Sequence, residues 1–296
     1  MSIHPQIAEI LSTLPAPDGS PLDPAAMRAG EAAQVAPPEA RLPLNAVEDL
    51  TAATPSGDVP VRIYTPVEAD AYGLLVFFHG GAFFLGSLDT HDHVARSLAK
   101  ETGYKVISVG YRLAPEAAFP AGLDDCYGVL RWAAENGGSL NWDGKNLAIA
   151  GDSSGGNFVA AVAAKAHDDG FSHLTHQVLF YPSLDLDFDV NRYASLRENA
   201  EGYGLETAGL LPFNSFYLES GADPTRYAVY AAADVFGSEG TCATTGSGEV
   251  VPPPMENDRD ASVAAIRTAE IAFDADYEFY GLNGSSVNAT VEDIED

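Results

Sequence analysis

Hydrophobic positions along the chain fall into short apolar runs separated by stretches with helical spacing. Leu74–Phe78, Val106–Val109, Leu147–Ala150 and Val178–Tyr181 are apolar runs of strand length. Strands that are apolar on both faces suit the centre of a parallel sheet, where helices cover both sides. Val59–Tyr64 reads as a further strand, entered from a Pro-Ser-Gly-Asp turn at Pro55–Asp58. Between these runs, Val94, Ala95, Leu98 and Ala99 share one helical face within His91–Thr102, and Gly103 stops the helix. Leu123, Tyr127, Leu130 and Ala134 do the same within Leu123–Glu135. An alanine-rich helix is expected over Gly155–His167. Strand alternating with helix predicts an α/β fold with a mostly parallel central sheet flanked by helices.

The flanks read differently. Ile7, Ile10, Leu11 and Leu14 mark a helix at Pro5–Leu14, and a Pro- and Ala-rich loop is expected from about Pro15 to Pro43. Tyr203–Leu218 is helical in pattern, and its Leu210, Leu211, Phe213, Phe216 and Tyr217 suit a lid or pocket wall. Gly237–Gly248 is low in complexity, Ala261–Glu270 could form a helix, and Ile271–Phe279 alternates like a half-exposed strand. The expected organisation is a lid segment over 1–45, a core over 46–228 with a lid insertion at about 185–220, and an atypical acidic region over 229–296.

The chain's 15 Lys and Arg against 43 Asp and Glu give a formal net charge of −28. An acidic surface repels nucleic acid and anionic membranes, so neither is an expected partner. The charge fits a highly soluble protein, one adapted to high salt, or simply an acidic surface. Two cysteines, Cys126 and Cys242, form no disulfide framework. No signal-peptide pattern occurs in Met1–Leu14 and no apolar stretch approaches 18 residues, so a cytoplasmic location is expected. The oligomeric state is left open. A sheet-edge strand could pair two subunits, but no residue identifies such a contact.

Two motifs carry chemistry. Gly151-Asp152-Ser153-Ser154-Gly155-Gly156 fits G-x-S-x-G between a strand and a helix. Such a turn strains its central residue and holds a serine Oγ clear of the sheet, which makes Ser153 the candidate nucleophile. The helix N-terminus adds positive dipole there. His79-Gly80-Gly81-Ala82-Phe83 follows the strand Leu74–Phe78. Backbone N–H groups aimed at the oxygen that becomes negative during acyl transfer supply about 10²–10³ in rate each. The expected donors are Gly80, Gly81 and Ser154. His79 is expected to hold the loop rather than act as base. His91 and His93, flanking Asp92, suit a solvated helix start, and His167, His173 and His176 lie on or after a helix that runs away from the active edge.

These segments, with Tyr111-Arg112-Leu113-Ala114-Pro115-Glu116 and Phe119-Pro120-Ala121, resemble the hormone-sensitive lipase family of α/β-hydrolases, the esterases with an HGG motif. The likeness covers roughly Pro5–Val229. It implies an α/β-hydrolase fold, a serine carboxylesterase acting on small-molecule esters of short to medium acyl length, Ser153 as nucleophile, and an oxyanion hole from Gly80, Gly81 and Ser154. It implies no metal and no organic cofactor. Ala82 stands where the family more often has a third glycine, and Ser154 where it has alanine.

The family's later Asp, in D-P-L-x-D, and His, in H-G-F, have no counterpart. No histidine follows His176, Asp223-Pro224 comes too early, and Tyr280-Gly281-Leu282 only echoes the histidine motif. A tyrosine, with a reference pKa near 10, is a poor base at neutral pH. Base and acid are therefore not identifiable. The alternative reading is a catalytically impaired or ligand-binding, receptor-like member of the same fold. Fourteen acidic and two basic residues in 229–296 accompany the break in likeness and suggest a frameshifted or recombined C-terminus. Translating the coding DNA in its other frames is expected to reveal D-P-L-x-D and H-G-F downstream; their absence from every frame would sink that idea.

Overall fold

The computed structural model describes residues 5–13, 21–184, 186, 190–191, 194–218, 277–280 and 286–289. Two compact units partition the chain. One contains α1 (Pro5–Thr13) and an antiparallel hairpin in which Tyr277 pairs with Ala289 and Tyr280 with Ser286. The expected helix at 261–270 and residues 271–276 of the expected strand lie outside the described residues.

The second unit is built on six strands. They are β1 (Ala46–Thr54), β2 (Gly57–Thr65), β3 (Tyr72–Phe78), β4 (Lys105–Val109), β5 (Trp142–Asp152) and β6 (His176–Phe180), in the spatial order β1-β2-β4-β3-β5-β6. β1, β2 and β4 pair antiparallel, while β4, β3, β5 and β6 pair parallel. The helices are α2 (Pro24–Ala32), α3 (Asp92–Thr102), α4 (Ala121–Glu135), α5 (Ser154–Asp168), α6 (Ala194–Glu198) and α7 (Thr207–Tyr217).

Side chains of successive strand residues point to opposite faces, so one apolar run feeds two cores. Leu74, Val76, Phe78, Ile107, Leu147 and Ile149 pack with Leu130, Phe158 and Val162 of α4 and α5. Leu75, Phe77, Val106, Ala148 and Ala150 pack on the other face with Ala95 and Ala99 of α3. β3 is central, which is why its apolar run is unbroken.

Three local expectations are corrected. The loop expected over 15–43 contains α2, which Asp23 caps by accepting from the N–H groups of Ala25 and Ala26, with Pro24 in the first turn. β1 is an additional strand. As a sheet edge it is largely exposed and carries Glu48 and Asp49, so its apolar signal is weak. The third correction concerns the start of α3, which is not solvated. Asp92 is 3% exposed. It accepts from Tyr64 Oη at 3.0 Å and Arg96 Nε at 2.6 Å, and lies 3.5 Å from Arg62 and 3.8 Å from Arg41.

Asp92 therefore joins β2, α3 and the segment before β1. Removing one partner from a buried charge network leaves the others uncompensated. Asp92→Ala is expected to lose about 3–5 kcal/mol of unfolding free energy in urea titration; a midpoint equal to that of the unmodified chain would contradict this role.

Candidate active site

The site forms where β5 passes into α5. Ser153 sits between them with φ 53° and ψ −116°, a left-handed φ that a residue with Cβ rarely adopts. Backbone bonds hold it there. Its N–H donates to Phe180 O at 3.0 Å, and its carbonyl accepts from Asn157 at 3.2 Å and Ser183 at 3.1 Å. The strain is thus supported by the end of β6, the first turn of α5 and the segment after β6.

Gly155 makes the turn possible through close approach. A Cβ there would collide with Phe78 O and lie 2.7 Å from His79 O. Only glycine lets α5 begin this near the end of β3. That proximity brings the His79–Phe83 loop beside Ser153.

The loop leaves β3 through left-handed backbone, with φ of 121° at Gly81, 50° at Ala82 and 67° at Phe83. It closes on itself through the N–H groups of Phe84 and Leu85, which donate to Gly81 O. Two bonds pin it to the elbow. Gly80 N–H donates to Asp152 Oδ1 at 2.9 Å, and Phe83 N–H donates to Ser154 Oγ at 3.2 Å. Among the described residues, the N–H groups of Gly81, Ala82 and Ser154 have no such partner. The structure thus brings Gly80, Gly81 and Ser154 together beside Ser153 but commits the Gly80 N–H to a carboxylate.

His79 braces the loop. It is 1% exposed, its Nδ1 lies 2.8 Å from Gly80 O, and the Tyr111 hydroxyl donates to His79 O at 2.7 Å. The Tyr111 and His91 rings both stack against it, with centroids 4.2 and 5.1 Å away. Burial pushes the His79 pKa down to about 4, so the ring stays neutral near pH 7. Burial, followed by its histidine neighbours, also holds the His91 pKa well below its ordinary value. His167 lies beside Asp168, His173 against Trp142 and Phe171, and His176 beside Thr175.

Helices support the loop from outside. Arg28 of α2 donates to Phe84 O at 2.7 Å and pairs with Glu116, while Glu31 accepts from Gly86 N–H. Tyr217 of α7 stacks on Phe83 at 3.9 Å, and Phe213 and Phe216 contact Phe84. The helix expected over 203–218 is α7, and it packs on the loop through its buried Tyr217. Arg112, in the segment that begins with Tyr111, holds the buried Asp125 of α4 through its backbone N–H and guanidinium.

A strained serine at a strand–helix turn, beside a glycine loop with unpaired N–H groups, is suited to acyl transfer. Among the described residues, no cluster of His, Cys, Asp and Glu could hold a metal ion, and no helix is long and apolar enough to cross a membrane. Residues 75–251 match the family described as the alpha/beta hydrolase fold. The chain belongs to that family. This hydrolase is 39% identical to carboxylesterase NlhH of Mycobacterium tuberculosis over 222 residues, 73% of this chain and 67% of that protein. It is 37% identical to the ethyl acetate hydrolase of Pseudomonas putida, over 60% of this chain and 56% of that protein. Among solved structures, the Pyrobaculum calidifontis esterase superposes with a TM-score of 0.68 at 35% identity, over 78% of this chain and 74% of that one.

The carboxylate of Asp152, which accepts from the Gly80 N–H, has no assigned role in the sequence motifs. An acidic residue ending an apolar strand was the available signal for Asp152. Substituting Gly155→Ala is expected to lower the unfolding free energy by about 1–3 kcal/mol or more, since an added methyl must force β3 and α5 apart; unchanged urea stability would refute the close-approach account.

Proposed function

We propose that this hydrolase cleaves carboxylic esters of short to medium acyl length through an acyl-enzyme on Ser153. The observation that carries the reading is Ser153 itself, held at φ 53° beside a loop whose next free N–H groups are those of Gly81 and Ala82. Ser153 Oγ attacks the ester carbonyl. The N–H groups of Gly81, Ala82 and Ser154 stabilise the oxyanion of the tetrahedral intermediate. Expulsion of the alcohol leaves an acylated Ser153, and water releases the acid. Gly80 leaves the donor set because its N–H is already bound to Asp152, and Ala82 takes its place. The names of the carboxylesterase, ethyl acetate hydrolase and esterase relatives support an ester substrate.

The proton on Ser153 needs an acceptor. No histidine follows His176 in the chain. His79 is unsuited on two counts. Its Nδ1 is held at the Gly80 carbonyl, and its basicity is depressed by burial. The missing histidine favours a second reading, a pocket of the same fold that binds an ester or acid and turns it over slowly. Sites that keep a nucleophile's surroundings but lack part of the triad retain about 10³–10⁴ over water.

Hydrolysis of a chromogenic butyrate ester by the full chain should vanish in Ser153→Ala. A rate above water yet far below that of usual esterases, and dependent on Ser153, would support the second reading. Identical rates for the chain and Ser153→Ala would end the assignment of Ser153.

A further inference from the structure

Asp152 is the one carboxylate at the elbow, and it faces away from solvent. Its side chain is 14% exposed, yet no Lys or Arg pairs with it among the described residues. Oδ1 accepts the Gly80 N–H at 2.9 Å. Oδ2 lies against the Gly80 Cα, where a Cβ would collide with it and would stand 3.0 Å from Asp152 O. The titratable groups facing it are His91, whose Nε2 lies 3.9 Å away at the start of α3, and the buried His79 and Tyr111 behind the loop. A carboxylate desolvated without a cation is costly unless N–H donors compensate it. Here the compensating donor belongs to the loop that carries the proposed oxyanion hole.

We propose that Asp152 is a positioning residue for acyl transfer, whose carboxylate, by holding the Gly80 N–H, orients the next two N–H groups towards the developing oxyanion. The inference rests on the ester-hydrolase reading for its effect on rate, but the contact itself can be tested without turnover. Gly80 is where the chain leaves β3. Fixing its peptide plane fixes the start of the left-handed run through Gly81, Ala82 and Phe83. A loop donor that strays from the oxyanion loses most of its value, because such stabilisation depends on donors already in place.

Burial pushes the Asp152 pKa up to about 6, opposed by the Gly80 N–H bond. The sign follows. Protonation below about pH 6 removes the charge from the acceptor, weakens the grip on Gly80 and should lower kcat on the acid side. Stability runs the other way. With the folded pKa raised above its ordinary value, this group's contribution is fully present below the unfolded pKa and is lost as pH rises through about 6. Asp152→Asn keeps a neutral acceptor of the same shape. It should therefore be at least as stable as the unmodified chain at pH 8 while being slower, a combination that a purely structural residue would not give.

The test combines kinetics with amide NMR on the full chain. Asp152→Ala should reduce kcat for a butyrate ester by about 10²-fold with KM little changed, the scale of losing one oxyanion contact. Asp152→Asn should be intermediate and lose the acid limb near pH 6. In the unmodified chain the Gly80 amide proton should titrate with a midpoint near pH 6, and in Asp152→Asn it should not. Unaltered kcat in Asp152→Ala, or a Gly80 amide indifferent to pH, would overturn the inference. If the unmodified chain shows no Ser153-dependent hydrolysis, the ester-hydrolase reading fails, and the Gly80 titration still decides whether Asp152 holds the loop.

Discussion

The contact between the start of α5 and the end of β3 governs the site. Gly155 packs against the carbonyl groups of Phe78 and His79, at a separation no side chain permits. Everything chemical lies within a few residues of that contact. It places the elbow serine next to the loop, lets Asp152 reach Gly80 and lets Ser154 reach Phe83. The two parallel strands β3 and β5 pair from Leu74–Leu147 to Phe78–Gly151, so they deliver both motifs to the same edge of the sheet. Motifs separated by about seventy residues thus become neighbours through strand register.

Much of this was legible in the sequence. The apolar runs of β3 to β6 and the periodicity of α3, α4 and α5 are strong because these elements are buried. Ser153 and the Gly80-Gly81 loop were legible because strain and close approach restrict the residues allowed there. β1 escaped because it lies at an edge and is mostly exposed, so burial imposes little pattern on it. The role of Asp92 was hidden for another reason. Its partners, Tyr64, Arg62, Arg41 and Arg96, lie on different elements, and nothing local separates a buried acid at a helix start from a solvated one. The same holds for Gly80. A glycine in an HGG loop signals an available N–H, and only the fold reveals that Asp152 occupies it.

The division of labour along the chain is uneven. The proposed nucleophile, the proposed oxyanion donors and their supports all fall between Arg28 and Tyr217. Across that span this hydrolase resembles its esterase relatives, while the expected histidine and aspartate motifs of the family are absent from the sequence beyond it. Electrostatic preparation for a negative oxygen and removal of a serine proton are separable tasks, and the proposed donors bear on the first of them.

The rings of Tyr111, His79 and His91 form a column behind the glycine loop, linking the segment after β4 to the start of α3. Because Asp92 clamps that same helix start to β2, the loop borrows its stiffness from parts of the molecule that perform no chemistry. Such mechanical anchoring separates two evolutionary freedoms. Positions that face a substrate can diverge to admit different acids and alcohols, while the backbone cradle and the rings behind it stay fixed. Changes of preference in such a scaffold would accumulate around the cradle and leave its bracing untouched.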